Sequence, residues 1–114
     1  MRRLAPIAAL VALGVAGCGS EDPQRKPGRG AVDIAQFKYG PARLEVAAGA
    51  RVTFTNRDRA PHTATAPRGL DTGILRRGQA RTLRLTRPGT YAYLCELHPF
   101  MKGSIVVSGE DGAA

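Results

Sequence analysis

Three side chains that can bind a soft metal stand close together near the C-terminus of this 114-residue chain, in Tyr91-Ala92-Tyr93-Leu94-Cys95-Glu96-Leu97-His98-Pro99-Phe100-Met101-Lys102-Gly103. The spacing is Cys-x2-His-x2-Met, which offers a thiolate, an imidazole and a thioether within one short loop. The chain has only two histidines, and the other is His62, in Asn56-Arg57-Asp58-Arg59-Ala60-Pro61-His62-Thr63. Thiolate is a strong donor to copper, imidazole accepts both copper oxidation states, and a methionine sulfur is a weak axial donor. Two His, one Cys and a weak Met are the donor set of a blue-copper electron-transfer site. Such a mixed set suits neither Cu(I) nor Cu(II) fully, so the site changes shape little when an electron arrives or leaves.

Strands must position these donors, because no window keeps a helical period over the length that a helix needs. Val32 and Ile34 alternate with polar neighbours, and Phe37 breaks the period in a way that a bulge would absorb. Leu44 and Val46 share one face. Val52 and Phe54 alternate with Thr53 and Thr55, and Leu83 and Leu85 alternate with Thr82, Arg84 and Thr86. Tyr91, Tyr93 and Cys95 fall on one face, and Ile105 and Val107 close the series. Turn signals at Tyr39-Gly40-Pro41, Ala48-Gly49 and Arg87-Pro88-Gly89 separate the runs. The stretch 67–79 is rich in Gly and Arg and is expected to be loop with one short strand. Short strands punctuated by Gly and Pro predict an all-β Greek-key sandwich or barrel of about seven to eight strands. Cys95 would end one strand and His62 would open a second strand-like run, His62 to Ala66, so two strand ends meet at one pole. Pro99 keeps the segment after His98 from continuing as a helix.

The segment Cys95-Glu96-Leu97-His98-Pro99-Phe100-Met101-Lys102-Gly103 resembles the C-terminal ligand loop of the cupredoxins, within them the amicyanin/plastocyanin-like group. Its Cys-x2-His-x2-Met spacing is nearer to amicyanin than to plastocyanin, whose Met lies farther on. Asn56 to Thr63 is similar to the family's upstream Asn…Pro-His segment. Phe37-Lys38-Tyr39-Gly40-Pro41 and Gly49-Ala50-Arg51-Val52-Thr53-Phe54 resemble its opening strands, and Asp71-Thr72-Gly73 and Arg87-Pro88-Gly89-Thr90-Tyr91 also fit. The resemblance spans about residues 31–108. It implies one copper ion, cycling between Cu(I) and Cu(II), on His62, Cys95, His98 and Met101. It implies that Asn56 and Thr63 brace the loop and hydrogen-bond near the sulfur, where such contacts tune potential. It implies an apolar patch of Pro61, Pro99 and Phe100 around His98, which is then the route by which electrons enter and leave. Tyr93 either packs beneath the site or belongs to the ordinary core, and the core is the favoured expectation. The chain lacks the acidic patch of plant plastocyanin, which argues against a photosynthetic cytochrome as partner.

The rest of the chain sets the context. Met1-Arg2-Arg3 is a short positive start, Leu4 to Val15 is apolar, and Val15-Ala16-Gly17-Cys18 puts small residues before a cysteine. This resembles the lipobox of a bacterial lipoprotein, with 1–17 as signal peptide and Cys18 as the lipidated residue. The apolar run is shorter than the roughly 20 residues of a membrane span. Residues 18–30 are then a polar tether, 31–108 the folded domain and 109–114 a polar tail. With Cys18 acylated, Cys95 has no disulfide partner, which in an exported chain marks metal binding or a reactive thiol. The formal charge is +8, and 14 of the 17 basic residues are Arg. An exported chain with no aromatic–basic stacking platform is not a nucleic-acid binder. The charge suits an acidic redox donor or acceptor, such as a cytochrome or dehydrogenase, or nearness to anionic lipid. The expected protein is a monomer at the outer face of the cytoplasmic membrane, and not an enzyme, since the metal keeps no open position. Three other readings compete: copper delivery on the same ligands, a zinc site (short of strong donors, because Met binds zinc poorly), and a Cys95–His98 nucleophile pair.

Overall fold

The computed structural model describes residues 28–109. Cys18, the lipobox, most of the tether and the tail beyond Gly109 lie outside these residues. Nine strands form two sheets: β1 (Arg29–Ala35), β2 (Lys38–Gly40), β3 (Arg43–Ala47), β4 (Ala50–Asn56), β5 (Thr65–Ala66), β6 (Leu70–Asp71), β7 (Ala80–Leu85), β8 (Gly89–Leu94) and β9 (Lys102–Ser108). One sheet runs β2-β1-β4-β7 and the other β3-β9-β8-β5-β6. This is the all-β sandwich that the alternation predicts. The count exceeds seven to eight because two very short strands, β2 and β6, pair as well. Of the run His62 to Ala66, only Thr65–Ala66 is strand; His62 makes a lone bridge to Leu75.

Alternation decides which side chains fill the space between the sheets. Val32, Ile34, Val52 and Phe54 reach inward from one sheet, and Tyr91, Tyr93, Ile105 and Val107 from the other; all are buried. Tyr93 stands edge-on to Tyr39 and Phe54, with centroids 4.6 and 5.5 Å away. It occupies the core, as expected. Gly103 opposite is what admits its ring, since a Cβ there would lie 2.6 Å from the Tyr93 hydroxyl.

Two expectations need correction. The polar tether does not run to residue 30, because Arg29 and Gly30 already pair with Arg51 and Val52 in parallel register. Gly30 reads as linker by composition, yet it lies so close to Leu44 that a Cβ would be 2.8 Å from Cδ2. Nor is Phe37 accommodated by a bulge. Gln36 and Phe37 are a two-residue hairpin turn, both left-handed with φ of 55° and 58°. Non-glycine residues adopt that conformation at a cost. Here the carboxylate of Asp58 accepts both turn N–H groups, at 2.7 Å from Gln36 and 2.9 Å from Phe37.

Candidate metal centre

The Cys-x2-His-x2-Met spacing is the spacing of two successive turns. The His98 N–H donates to the Cys95 carbonyl (3.2 Å) and the Met101 N–H to the His98 carbonyl (2.9 Å). Each donor residue thus closes one turn and opens the next. The Cys95 N–H then donates back to the Met101 carbonyl (3.2 Å), which shuts the loop just as β9 begins. Cys95 follows β8 directly, so the strand delivers its sulfur to the pole of the sandwich.

His62 reaches the same pole from the β4–β5 connection. It is fastened to Leu75 by a reciprocal pair of backbone bonds, 3.0 and 2.8 Å. Asn56 ends β4 fully buried and holds this connection with all of its side-chain polar atoms. Its amide donates to the carbonyls of Ala60 (2.9 Å) and Leu75 (2.8 Å), and its Oδ1 accepts the Asp58 N–H (2.8 Å). Thr63 joins the two segments: its N–H donates to Cys95 Sγ (3.3 Å) and its hydroxyl accepts the Glu96 N–H (2.9 Å). Of the two residues singled out in the sequence, Thr63 is the one that bonds at the sulfur, while Asn56 braces the connection and makes no contact with it.

Cys95, His62 and His98 converge. Their donor atoms all lie within 4.8 Å of one another. The Nδ1 atoms of the two rings are 3.2 Å apart, and Cys95 Sγ is 3.8 Å from that of His62 and 3.7 Å from that of His98. A point equidistant from the three corners of this triangle is about 2.1 Å from each, close to the metal–nitrogen and metal–sulfur lengths of first-row ions. An ion therefore fits in or near the plane of the three donors, the trigonal His2Cys arrangement that leaves room for a weak axial ligand. Met101 is buried at the loop's end. On the far side of His62, Nε2 lies 2.8 Å from Asp58 Oδ2. A carboxylate there fixes the proton on Nε2 and leaves the Nδ1 lone pair for the metal. Burial raises the Asp58 pKa, but the N–H groups of Phe37 and Gln36 and the His62 ring outweigh it and hold the carboxyl below its ordinary 3.8.

Access to the centre is one-sided. Cys95 and His62 are fully buried, which removes the reading of Cys95 as a nucleophile open to substrate. His98 alone of the three is half-exposed. Phe100, 70 % exposed, has its ring 6.2 Å from that of His98; Pro99, next in the chain, is exposed and Pro61 is half-buried. Sequence reasoning missed two residues here. Phe37 sits edge-on to both rings, 4.8 Å from His62 and 5.0 Å from His98, and stacks on Phe100 at 6.3 Å. Its break in the alternation was the available signal. Asp58, four residues before His62, gave no signal apart from its place in a segment that bears a ligand.

Comparison with known proteins bears on this geometry. A family model described as Cupredoxin-like domain matches residues 6–107. Amicyanin-alpha of Methylorubrum extorquens is 36% identical over 118 residues, covering 94% of this chain and 99% of that protein. Amicyanin of Paracoccus denitrificans is 40% identical over 82 residues, covering 67% of this chain and 63% of that one. Among solved structures, a methionine-to-alanine variant of amicyanin with Cu(I) superposes with a TM-score of 0.66 at 37% identity, over 70% of this chain and 82% of its own.

Proposed function

The chain belongs to the cupredoxin family, and from that premise we propose that it is a blue copper protein. It carries single electrons between redox partners on the outer side of the cytoplasmic membrane and catalyses no reaction of its own. One observation carries the reading: a cysteine sulfur and two histidine Nδ1 atoms converge on one point, from segments 33 residues apart in the chain. His62, Cys95, His98 and Met101 would hold the copper. The copper supplies the one-electron couple. The chain's own residues keep it in one geometry and dry, since Asn56, Thr63 and the two loop turns hold the donors, and Phe37 with Phe100 covers them. Electrons pass at the half-exposed His98, where the patch of Phe100, Pro99 and Pro61 meets the partner. The donor and acceptor present acidic surfaces to this basic protein. Cys18 carries the lipid that keeps the protein at the membrane, and residues from Gly19 to Gly28 are the tether.

The test is a Cu(II) titration of the purified protein, followed by visible and paramagnetic-resonance spectra. The expected result is an intense thiolate-to-copper band at one equivalent, absent from Cys95→Ser. Met101→Leu keeps the band and raises the potential. A pale protein with ordinary Cu(II) splitting would sink the ligand assignment, and an unchanged potential in Met101→Leu would remove Met101 from the ligand set. Fractionation of cells expressing Cys18→Ala tests the anchor; persistence in the membrane fraction would overturn it.

A further inference from the structure

Strand register lines up three arginines at the pole opposite the metal. Arg29 of β1 pairs with Arg51 of β4, and Arg51 pairs with Arg84 of β7. Directly paired residues point to the same face, and here that is the outer face of the four-stranded sheet. All three are exposed, and the hydroxyl contact between Thr53 and Thr82 (2.7 Å) marks the same face one row on. None of the three belongs to an ion pair among the described residues. The acid of that face, Asp33, pairs two rows away with Thr55 and binds Arg57 at 3.3 Å. Like charges directly opposite on neighbouring strands destabilise a sheet. Folding gains nothing visible from this row, which points to a use outside the fold.

Its location says what. Gly28, where the chain enters β1, accepts the Arg51 N–H through its carbonyl (3.2 Å). The upstream segment therefore joins the domain beside the arginine row. From Cys18 to Gly28 is ten residues, which reach at most about 35 Å. The pole that bears the arginines is thus the one held near the bilayer, if the lipid anchor proposed above is present. An electron partner has no use for this pole, since His98 lies at the other.

We propose that Arg29, Arg51 and Arg84 form a docking surface for anionic phospholipid headgroups. Seated on the bilayer by this row, the domain turns His98 and its apolar patch away from the membrane toward the partners. Guanidinium groups suit the task because their planar forks bind phosphate with two hydrogen bonds at once.

The experiment measures partition of the chain from Gly19 onward, which keeps every strand and core residue described, into vesicles of phosphatidylglycerol with phosphatidylcholine and of phosphatidylcholine alone. Without Cys18 or the apolar stretch, neither acylation nor insertion contributes, so the outcome is independent of the anchor. Binding is expected for the anionic vesicles only, weakened by salt. The triple variant R29Q/R51Q/R84Q should bind on the order of a hundredfold more weakly. R59Q/R76Q/R77Q, which removes as many charges from loops at the metal pole, should bind as the parent does. The copper band verifies that both variants fold. Equal loss in the two variants would reduce the effect to net charge and overturn the proposal, as would no loss in either. Unchanged vesicle binding by the row variant, with lost binding to polyglutamate, would reassign the row to an acidic protein.

Discussion

Asn56→Ala is the substitution that should most clearly separate the support of the site from the site itself. Asn56 touches none of the three donor atoms, but it makes three hydrogen bonds in a fully buried position. Each is worth about 1 kcal/mol net, so their loss comes to about 3 kcal/mol. Leu75 keeps a partner, since its carbonyl also accepts the His62 N–H, and water can reach the half-buried Asp58 N–H, which trims the figure. The small void left behind adds to it. For a domain of this size the midpoint of thermal unfolding should fall by roughly 10–25 °C. The assay is thermal denaturation of the metal-free protein, because a bound ion would add its own stabilisation and mask part of the loss. Copper affinity, measured separately, should drop about 10–100-fold, the usual effect of removing a group that orients a metal ligand. Asn56→Asp sharpens the test. It retains the acceptor for Asp58 but turns an oxygen toward the Ala60 and Leu75 carbonyls, and should be at least as harmful as alanine. A loss in Asn56→Ala below about 0.5 kcal/mol, the range of an inconsequential surface change, would show that the β4–β5 connection is held by other means.

The Tyr93 hydroxyl is buried and has no hydrogen-bond partner among the described residues. Tyr93→Phe should therefore leave stability unchanged or raise it by up to about 1 kcal/mol; a clear decrease in the midpoint would mean that the hydroxyl is bonded after all. Asp58 predicts an acid limb. Its folded pKa lies below its ordinary 3.8, so its contribution is fully present above that value and is lost as pH falls through the lower folded one. Denaturant unfolding of the metal-free protein between about pH 5 and pH 2 should show a shallower loss in Asp58→Asn than in the parent. Parallel curves would remove Asp58 from the account.

Period and spacing made most of the architecture legible. Val32, Ile34, Val52, Phe54, Tyr91, Tyr93, Ile105 and Val107 alternate, and all are buried. The donor loop was legible for a firmer reason: its spacing is fixed by two backbone turns, which sequence separation alone encodes. Gly30 and the Gln36–Phe37 turn were not legible, because long-range contacts decide both. Composition makes Gly30 linker, yet the close approach of Leu44 makes it strand. Nothing local favours two left-handed non-glycine residues; a carboxylate 21 residues away in sequence supplies what the turn needs. Phe37 at the metal centre follows from that turn, so it was hidden for the same reason. The arginines were visible as a scatter of charge, and only strand register assembles Arg29, Arg51 and Arg84 into a row.

That register also keeps two tasks apart. β4 carries Arg51 near one end and Asn56 at the other, and five residues of strand separate them by about 17 Å. The screening length at physiological ionic strength is about 8 Å, so charge neutralised at the arginine row is scarcely felt at the donors. Docking on lipid can then change where the domain points without changing how tightly the copper holds its electron. Had the arginines paired one end nearer the metal, at Thr55 rather than Arg51, each docking event would have shifted the potential and competed with partners for the same surface. The separation follows from seven residues of β4 running unbroken from pole to pole, which is how a small sandwich can give its two ends different work.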